Sequence, residues 1–325
     1  MAPFKSSLAR SAGKLLGVFR ERDVSLRGYK QESRIFRSSG PITATGGNKY
    51  TPGDGFIYHA FINSMNSGPN GVFAQTEGGD TVKILIVAGG GGGGGGYYAG
   101  GGGGGGILEG TLAEHQPGSF TITVGAGGAG GIGAPGNATN GQNSSFDLVT
   151  ALGGGYGGSG PRTPDQSGGD GGSGGAASYY VGGDAGKGSA LAQPAPSEYT
   201  SYGTSGGLSR TPGTVGGGGG GARAAPQPNN INGGFGQAFP TWPSSVIPIL
   251  TPLNPVMGSS NNTYGGGGGG APSGDAGEGG GGLGGSAAAG SDYLGGGGGG
   301  SATPVSPGTG GAGGDGIVLI RYSAS

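Results

Sequence analysis

The chain has no cysteine, so it holds no disulfide framework and no thiolate metal site. Its two histidines, His59 and His115, lie 56 residues apart with no clustered ligands around either, and neither a metal site nor a cofactor is expected. Charge is scarce: 10% of the 325 residues are Asp, Glu, Lys or Arg, and the net is −1. No run of about 18 apolar residues is present, which argues against a membrane-spanning helix, and the N-terminus lacks the continuous apolar core of a signal peptide. Hydrophobic residues, at 31%, are too few for an ordinary core of this length.

What fills the space is glycine, 94 residues, with 21 prolines. That proportion ordinarily marks a low-complexity chain. Disordered chains, however, combine low hydrophobicity with high charge, and this one has little charge to keep it solvated. The sequence therefore points to glycine that packs.

The glycine tracts come in two kinds. Unbroken runs occupy 89–96, 100–106, 216–221, 265–270 and 295–300. Punctuated runs admit a side chain at roughly every third place: "GAGGAGGIG" at 125–133, "GGDGGSGG" at 168–175, "GEGGGGLGG" at 277–285 and "GTGGAGGDG" at 308–316. A beat of three fits the polyproline II conformation, with three residues per turn, about 3.1 Å rise and no internal hydrogen bonds. Polyglycine II rods of this kind satisfy their backbone groups only by bonding to neighbours. A rod enclosed on all sides leaves no room for side chains, so the unbroken runs are expected inside and the punctuated runs at the periphery. Tyr97 and Tyr98, between the first two runs, read as the turn between two rods.

Strand-like stretches flank these tracts at 55–62, 71–76, 81–88, 119–124, 144–152 and 316–322, rich in β-branched and aromatic residues. The closing "GIVLIRY" is expected to lie beside 81–87, so that both ends of the glycine body meet at one base. The fold class expected is mainly β and irregular: an N-terminal helix or arm, a small β base, and a packed polyglycine II bundle with long loops. The corresponding divisions are 1–42, 43–87 and 88–325.

Charge separates the first part from the rest. Residues 1–40 carry nine Lys or Arg against three acids, and the remainder is net acidic. Within "KSSLARSAGKLLGVFRER" a helical face would hold Leu8, Leu15, Leu16 and Phe19, followed by Arg20 and Arg22. A basic amphipathic segment of this kind suits docking to a larger assembly.

No catalytic arrangement is legible. The one "GKG", at 186–188, has glycine where a P-loop needs Ser or Thr after the lysine, and G-x-G-x-x-G recurs here from composition alone. No enzyme activity and no nucleic-acid partner are expected. Two segments of richer chemistry interrupt the glycine, 187–212 and 222–264, and they carry Tyr199, Tyr202, Phe235, Phe239, Trp242 and Tyr264. Rings supply contact area and nearby amides and hydroxyls supply hydrogen bonds, so these six are candidate receptor-binding residues. The competing reading makes Phe239, Trp242, Val246, Ile247 and Leu250 a satellite core that pins the second segment.

"TVKILIVAGGGGGGGG", "SFTITVGAGGAGG", "NSSFDLVTALGGGYGG" and "GGAGGDGIVLIRY" resemble, in order, a glycine-rich domain of bacteriophage tail-fibre and virion structural proteins, over residues 71–322. The opening "FKSSLARSAGKLLGVFRERDVSLRG" resembles the start of virion proteins from phages of marine cyanobacteria. The glycine region is also similar to the distal adhesins of T-even-like phages, which pack polyglycine II helices and bind the host through loops. The resemblance implies a virion location, attachment to other virion proteins through the N-terminal arm, a host surface glycan or protein as partner, and a homotrimer. It departs from the adhesins in having its own basic arm and β region. The implied function is a tail-fibre or adhesin protein that displays loops for host attachment. The alternative is a capsid or tail decoration or cement protein.

Overall fold

The computed structural model describes residues 40–63, 70–112, 117–133, 136, 138–160, 167–179, 187–209, 215–227, 231–242, 262–302 and 308–324. The expected N-terminal helix, with Leu8, Leu15, Leu16, Phe19, Arg20 and Arg22, lies outside the described residues, as do His115, Val246, Ile247 and Leu250. Among the described residues there are strands and no helices.

Thirteen strands follow in chain order: β1 Thr43–Thr45, β2 Asn48–Tyr50, β3 Phe56–Phe61, β4 Asn70–Glu77, β5 Val82–Val87, β6 Ile107–Leu112, β7 Gly118–Thr123, β8 Ser144–Phe146, β9 Val149–Ala151, β10 Tyr199–Tyr202, β11 Gln237–Ala238, β12 Thr263–Tyr264 and β13 Ile317–Ser323. They form a six-stranded sheet ordered β10-β6-β5-β13-β3-β2, a five-stranded sheet ordered β1-β4-β7-β8-β9, and the short pair β11-β12. The final strand inserts between β5 and β3, antiparallel to both, with Ile317 opposite Val87 and Val318 opposite Phe61. The expectation that the chain's end meets 81–87 holds. The stretch 144–152, read as one strand, is instead a hairpin: Phe146 pairs with Val149 across Asp147 and Leu148, and Asp147 takes a φ of 50° to make the turn.

Both faces of the six-stranded sheet are covered. Alternate residues point to opposite faces of a strand, and here both sets are apolar. Ile84, Ile86, Val318, Ile320 and Tyr322 pack against Phe73, Ile122 and Phe146 of the five-stranded sheet. Leu85, Val87, Ile317 and Leu319 pack against Phe239, Trp242 and Tyr264. The strands read as continuous apolar runs because neither face meets water.

Between the strands, the glycine segments run side by side and bond to one another. The amide donors of 89–96 go to three neighbours in rotation. Gly91 and Gly94 bond to Gly103 and Gly100, Gly90 and Gly93 to Gly314 and Gly311, and Gly89 and Gly92 to Gln142 and Thr139. The carbonyls of the same run accept from three further neighbours: Gly128 and Gly131, Gly154 and Gly157, and Gly298 and Ser301. The same partner returns at every third residue. Run 100–106 is likewise enclosed, donating to segments around Gly155, Gly220 and Gly298 and accepting from those around Gly91, Ser173 and Gly268.

All five unbroken runs are buried throughout. In the punctuated run 125–133 the side chains at the third places face outward, with Ala129 and Ile132 exposed, and in 308–316 Thr309 and Ala312 are exposed. In 277–285 Leu283 is exposed. The run 168–175 corrects the expectation that punctuation marks the periphery. Ser173 is buried there, as are Ala176, Ala177 and Ser178 beyond it, since hydroxymethyl and methyl groups are small enough to be enclosed.

Candidate functional site

The hydrogen bonds give the glycine bundle two chemically different ends. Ala88, Gly106 and Leu152 are linked to one another, and Gly316 to Gly125, beside β5, β6, β9 and β13. At the other end Gly160 bonds to Gly95, Gly96 and Gly133 to Gly308, Tyr179 to Tyr98, and Ala99 to both Ser301 and Ala271. At this far end the first two runs are joined through Tyr97, Tyr98 and Ala99. Tyr97 and Tyr98 make the first reversal as expected, since runs 89–96 and 100–106 are antiparallel partners on either side of them. Tyr98 adopts a φ of 53°, its hydroxyl bonds that of Tyr97, and its ring meets Tyr179 edge-on at 5.8 Å. All three rings are part-exposed. The hydrogen bond to Tyr98, with some burial, raises the pKa of the Tyr97 phenol above its ordinary value.

A second feature lies on the flank of the six-stranded sheet. β10 pairs with the edge of β6, with Tyr202 opposite Ile107, and the segment carrying β11 passes nearby. Between them is a cleft of about 330 Å³. Its wall includes Lys83, Glu109, Glu198, Thr200, Tyr202 and Thr241. Glu109 is held in place by two donors to one carboxylate oxygen, Trp242 Nε1 at 3.0 Å and Thr241 Oγ1 at 3.3 Å. Burial, and then the charge of Glu109, raise the pKa of the Tyr202 phenol. Burial with the charge of Glu198 pushes that of Tyr199 up to about 12. Both phenols therefore stay protonated and able to donate at neutral pH.

The six candidate receptor-binding residues fall into two groups. Tyr199 and Tyr202 stand on β10, part-buried, and Tyr202 lines the polar cleft. Phe235 is 44% exposed, under the Arg223 guanidinium at 5.6 Å. Phe239, Trp242 and Tyr264 are a correction. All three are buried in the core that covers the outer face of the six-stranded sheet, and a ring enclosed on every side offers no surface to a receptor. Burial raises the Tyr264 pKa strongly. The segment is clamped by Arg321, which donates to the Thr241 carbonyl at 2.6 Å and lies 4.5 Å and 5.5 Å over the rings of Phe56 and Trp242.

Sequence reasoning missed Lys83, Glu109 and Thr241 of the cleft. Glu109 sits in "ILEGTL", which begins directly at the end of a glycine run and alternates too weakly to stand out. His59 is buried between the Gly46 carbonyl at 2.7 Å and the Tyr322 hydroxyl at 3.0 Å. Among the described residues no group of three or more His, Asp or Glu converges as a metal-ligand set. The arrangement offers binding chemistry: rings, hydroxyls and a fixed carboxylate.

A search of curated proteins finds no match to this chain. The family model of the glycine-rich domain does match, over residues 66–323. That span runs from just before β4 to the last residue of β13 and contains every glycine run bonded into the bundle. The chain therefore belongs to the glycine-rich domain family.

Proposed function

We propose that this chain is a phage virion protein: residues 1–42 attach it to the particle, the sheets form its base, and a polyglycine II bundle holds the far-end turns out for contact with a host surface glycan or protein. The observation that supports this reading is the polarity of the bundle. Its interior is backbone bonded to backbone with no reactive side chain, which suits a rigid support. Tyr97, Tyr98 and Tyr179 sit together, part-exposed, at the end away from the sheets. Three copies per assembly, as the resemblance implies, would appear as a trimer in sedimentation.

The test replaces Tyr97, Tyr98 and Tyr179 with alanine in the virion and measures host adsorption alongside particle integrity. Lost adsorption with intact particles is the expected result. Unchanged adsorption with fragile particles would favour the second reading, a decoration or cement protein without host recognition. One observation supports that rival: the aromatic segment that looked like a recognition loop is spent on the core. For the same reason, deleting 226–262 would remove Phe239 and Trp242 and damage the fold, so it cannot separate the two readings.

A further inference from the structure

A groove of about 450 Å³ opens beside the β8–β9 hairpin, on the face of β10 away from the polar cleft. Its lining includes Leu112, Phe120, Phe146, Leu148, Val149 and Tyr199. Leu148, at the hairpin turn, is 90% exposed, while Phe120 and Phe146 stack at 5.1 Å below it. The turn costs a left-handed φ at Asp147, a conformation that L-residues adopt sparingly, and it presents a leucine to solvent. That leucine and the two stacked rings line one groove, an apolar surface that another apolar segment can cover. The charged residues lining the groove, Asp147 and Glu198, are both acidic.

The chain carries a segment of matching chemistry. Within 8–22, Leu8, Leu15, Leu16 and Phe19 accompany Arg10, Lys14, Arg20 and Arg22, and residues 1–40 as a whole are strongly basic. Its tether reaches. β1, which follows the arm almost directly, is one edge of the five-stranded sheet, and the groove lies over β7, β8 and β9 toward the other edge. Four strand spacings are about 19 Å, whereas the 18 residues from Arg22 to Gly40 span up to about 60 Å when extended.

We propose that this groove seats the chain's own segment 8–22, covering its apolar residues until a particle component competes for them. The inference rests on reading the arm as the attachment element. It makes attachment an exchange: the arm leaves an intramolecular site for a better one on the particle.

The experiment places a photo-crosslinking amino acid at position 148 of the full chain. Isotopically light and heavy copies are mixed before irradiation, and the linked peptides are read by mass spectrometry. Crosslinks from 148 to 8–22 within copies of one label are expected. Links between light and heavy chains would assign the groove to a second copy, and links elsewhere or none would also overturn the proposal. As an independent readout, trypsin cleavage after Arg10, Lys14, Arg20 and Arg22 should accelerate about tenfold or more in L148E, with the body intact. Equal rates in the two proteins would count against a seated arm. Incorporation of the chain into particles is scored separately: incorporation that survives removal of 1–39 sinks the attachment reading, while the crosslinks still decide whether the groove holds the arm.

Discussion

Gly93 shows what a single position in an unbroken run must satisfy. Its amide donates to the Gly311 carbonyl at 2.8 Å and its carbonyl accepts from Gly131 at 2.9 Å. A Cβ there would collide with the carbonyl of Gly299, a backbone atom fixed in its own run. Nothing flexible can yield, so Gly93→Ala should cost about 4 kcal/mol or more, in the range of the severest single substitutions. Ala129, exposed in a punctuated run, is the control: Ala129→Ser should stay within about 0.5 kcal/mol. Chemical denaturation of both variants checks the contrast, and equal losses would contradict it. Ser173 points the other way. It is buried with a hydroxyl that finds no partner among the described residues, so Ser173→Ala removes an uncompensated polar group. Stability should rise by about 1 kcal/mol, and a drop would mean that the hydroxyl has a partner. His59 gives a pH effect. Burial, and then the charge of Lys49, lower its pKa, while its bond to the Gly46 carbonyl opposes them. That carbonyl can only accept, so the imidazole proton sits on Nδ1, and Nε2 accepts from Tyr322. The folded state therefore favours neutral histidine. Its contribution is whole above the ordinary value of about 6.5 and fades as pH falls from there through the lowered folded value. His59→Gln should flatten stability against pH as the pH falls below about 6.5, and parallel curves for the two proteins would dismiss the effect.

At the scale of elements, β13 has the most to lose. It is hydrogen-bonded on both sides, and its alternate residues enter both cores. Truncation before Ile317 should leave β5 and β3 unjoined and abolish soluble folding, read as loss of the strand signal in circular dichroism. This strand was legible in the sequence from its β-branched run, as were β3, β4, β5 and β7, because residues such as Ile84, Ile86 and Val318 announce burial by type. The hairpin β8–β9 was half legible: its residues read as strand, but the turn depends on Asp147 accepting a left-handed φ, which residue type alone does not impose. β10 was hidden because "EYTSY" is short, polar and set among prolines and serines, and it forms by adding to the open edge of β6. The buried place of Trp242 and Phe239 had a signal. Runs such as "ILIV", after Lys83, are apolar at every position, so the sheet had to be covered twice, and after one face took the five-stranded sheet the aromatic segment was the remaining cover. Reading those rings as surface weighed their loop setting above the unmet demand of the second sheet face.

At the scale of the whole molecule, the question is how a chain with 94 glycines holds a shape, since glycine loses more conformational freedom on folding than any other residue. No run recovers that loss alone, because the backbone bonds of its amides and carbonyls go to other segments. Recovery is collective: the donors and acceptors of 89–96 are shared among six surrounding segments, and those of 100–106 among six as well, with each run counting the other among its own. Opening one run orphans backbone groups in all its neighbours, each buried where water cannot replace the lost partner. The bundle should therefore open as one cooperative unit together with the sheets at its base, and not run by run. Amide exchange on the full chain tests this. Gly91, Gly103, Gly268 and Gly298, drawn from four different runs, should exchange with a single opening free energy equal to that of β5 and β13, and a denaturant that weakens one should weaken all by the same amount. Amides of Gly91 and Gly103 exchanging at the rate of an unstructured peptide would leave the far-end turns without a rigid support, and a host-contact role for those turns would lose its physical basis.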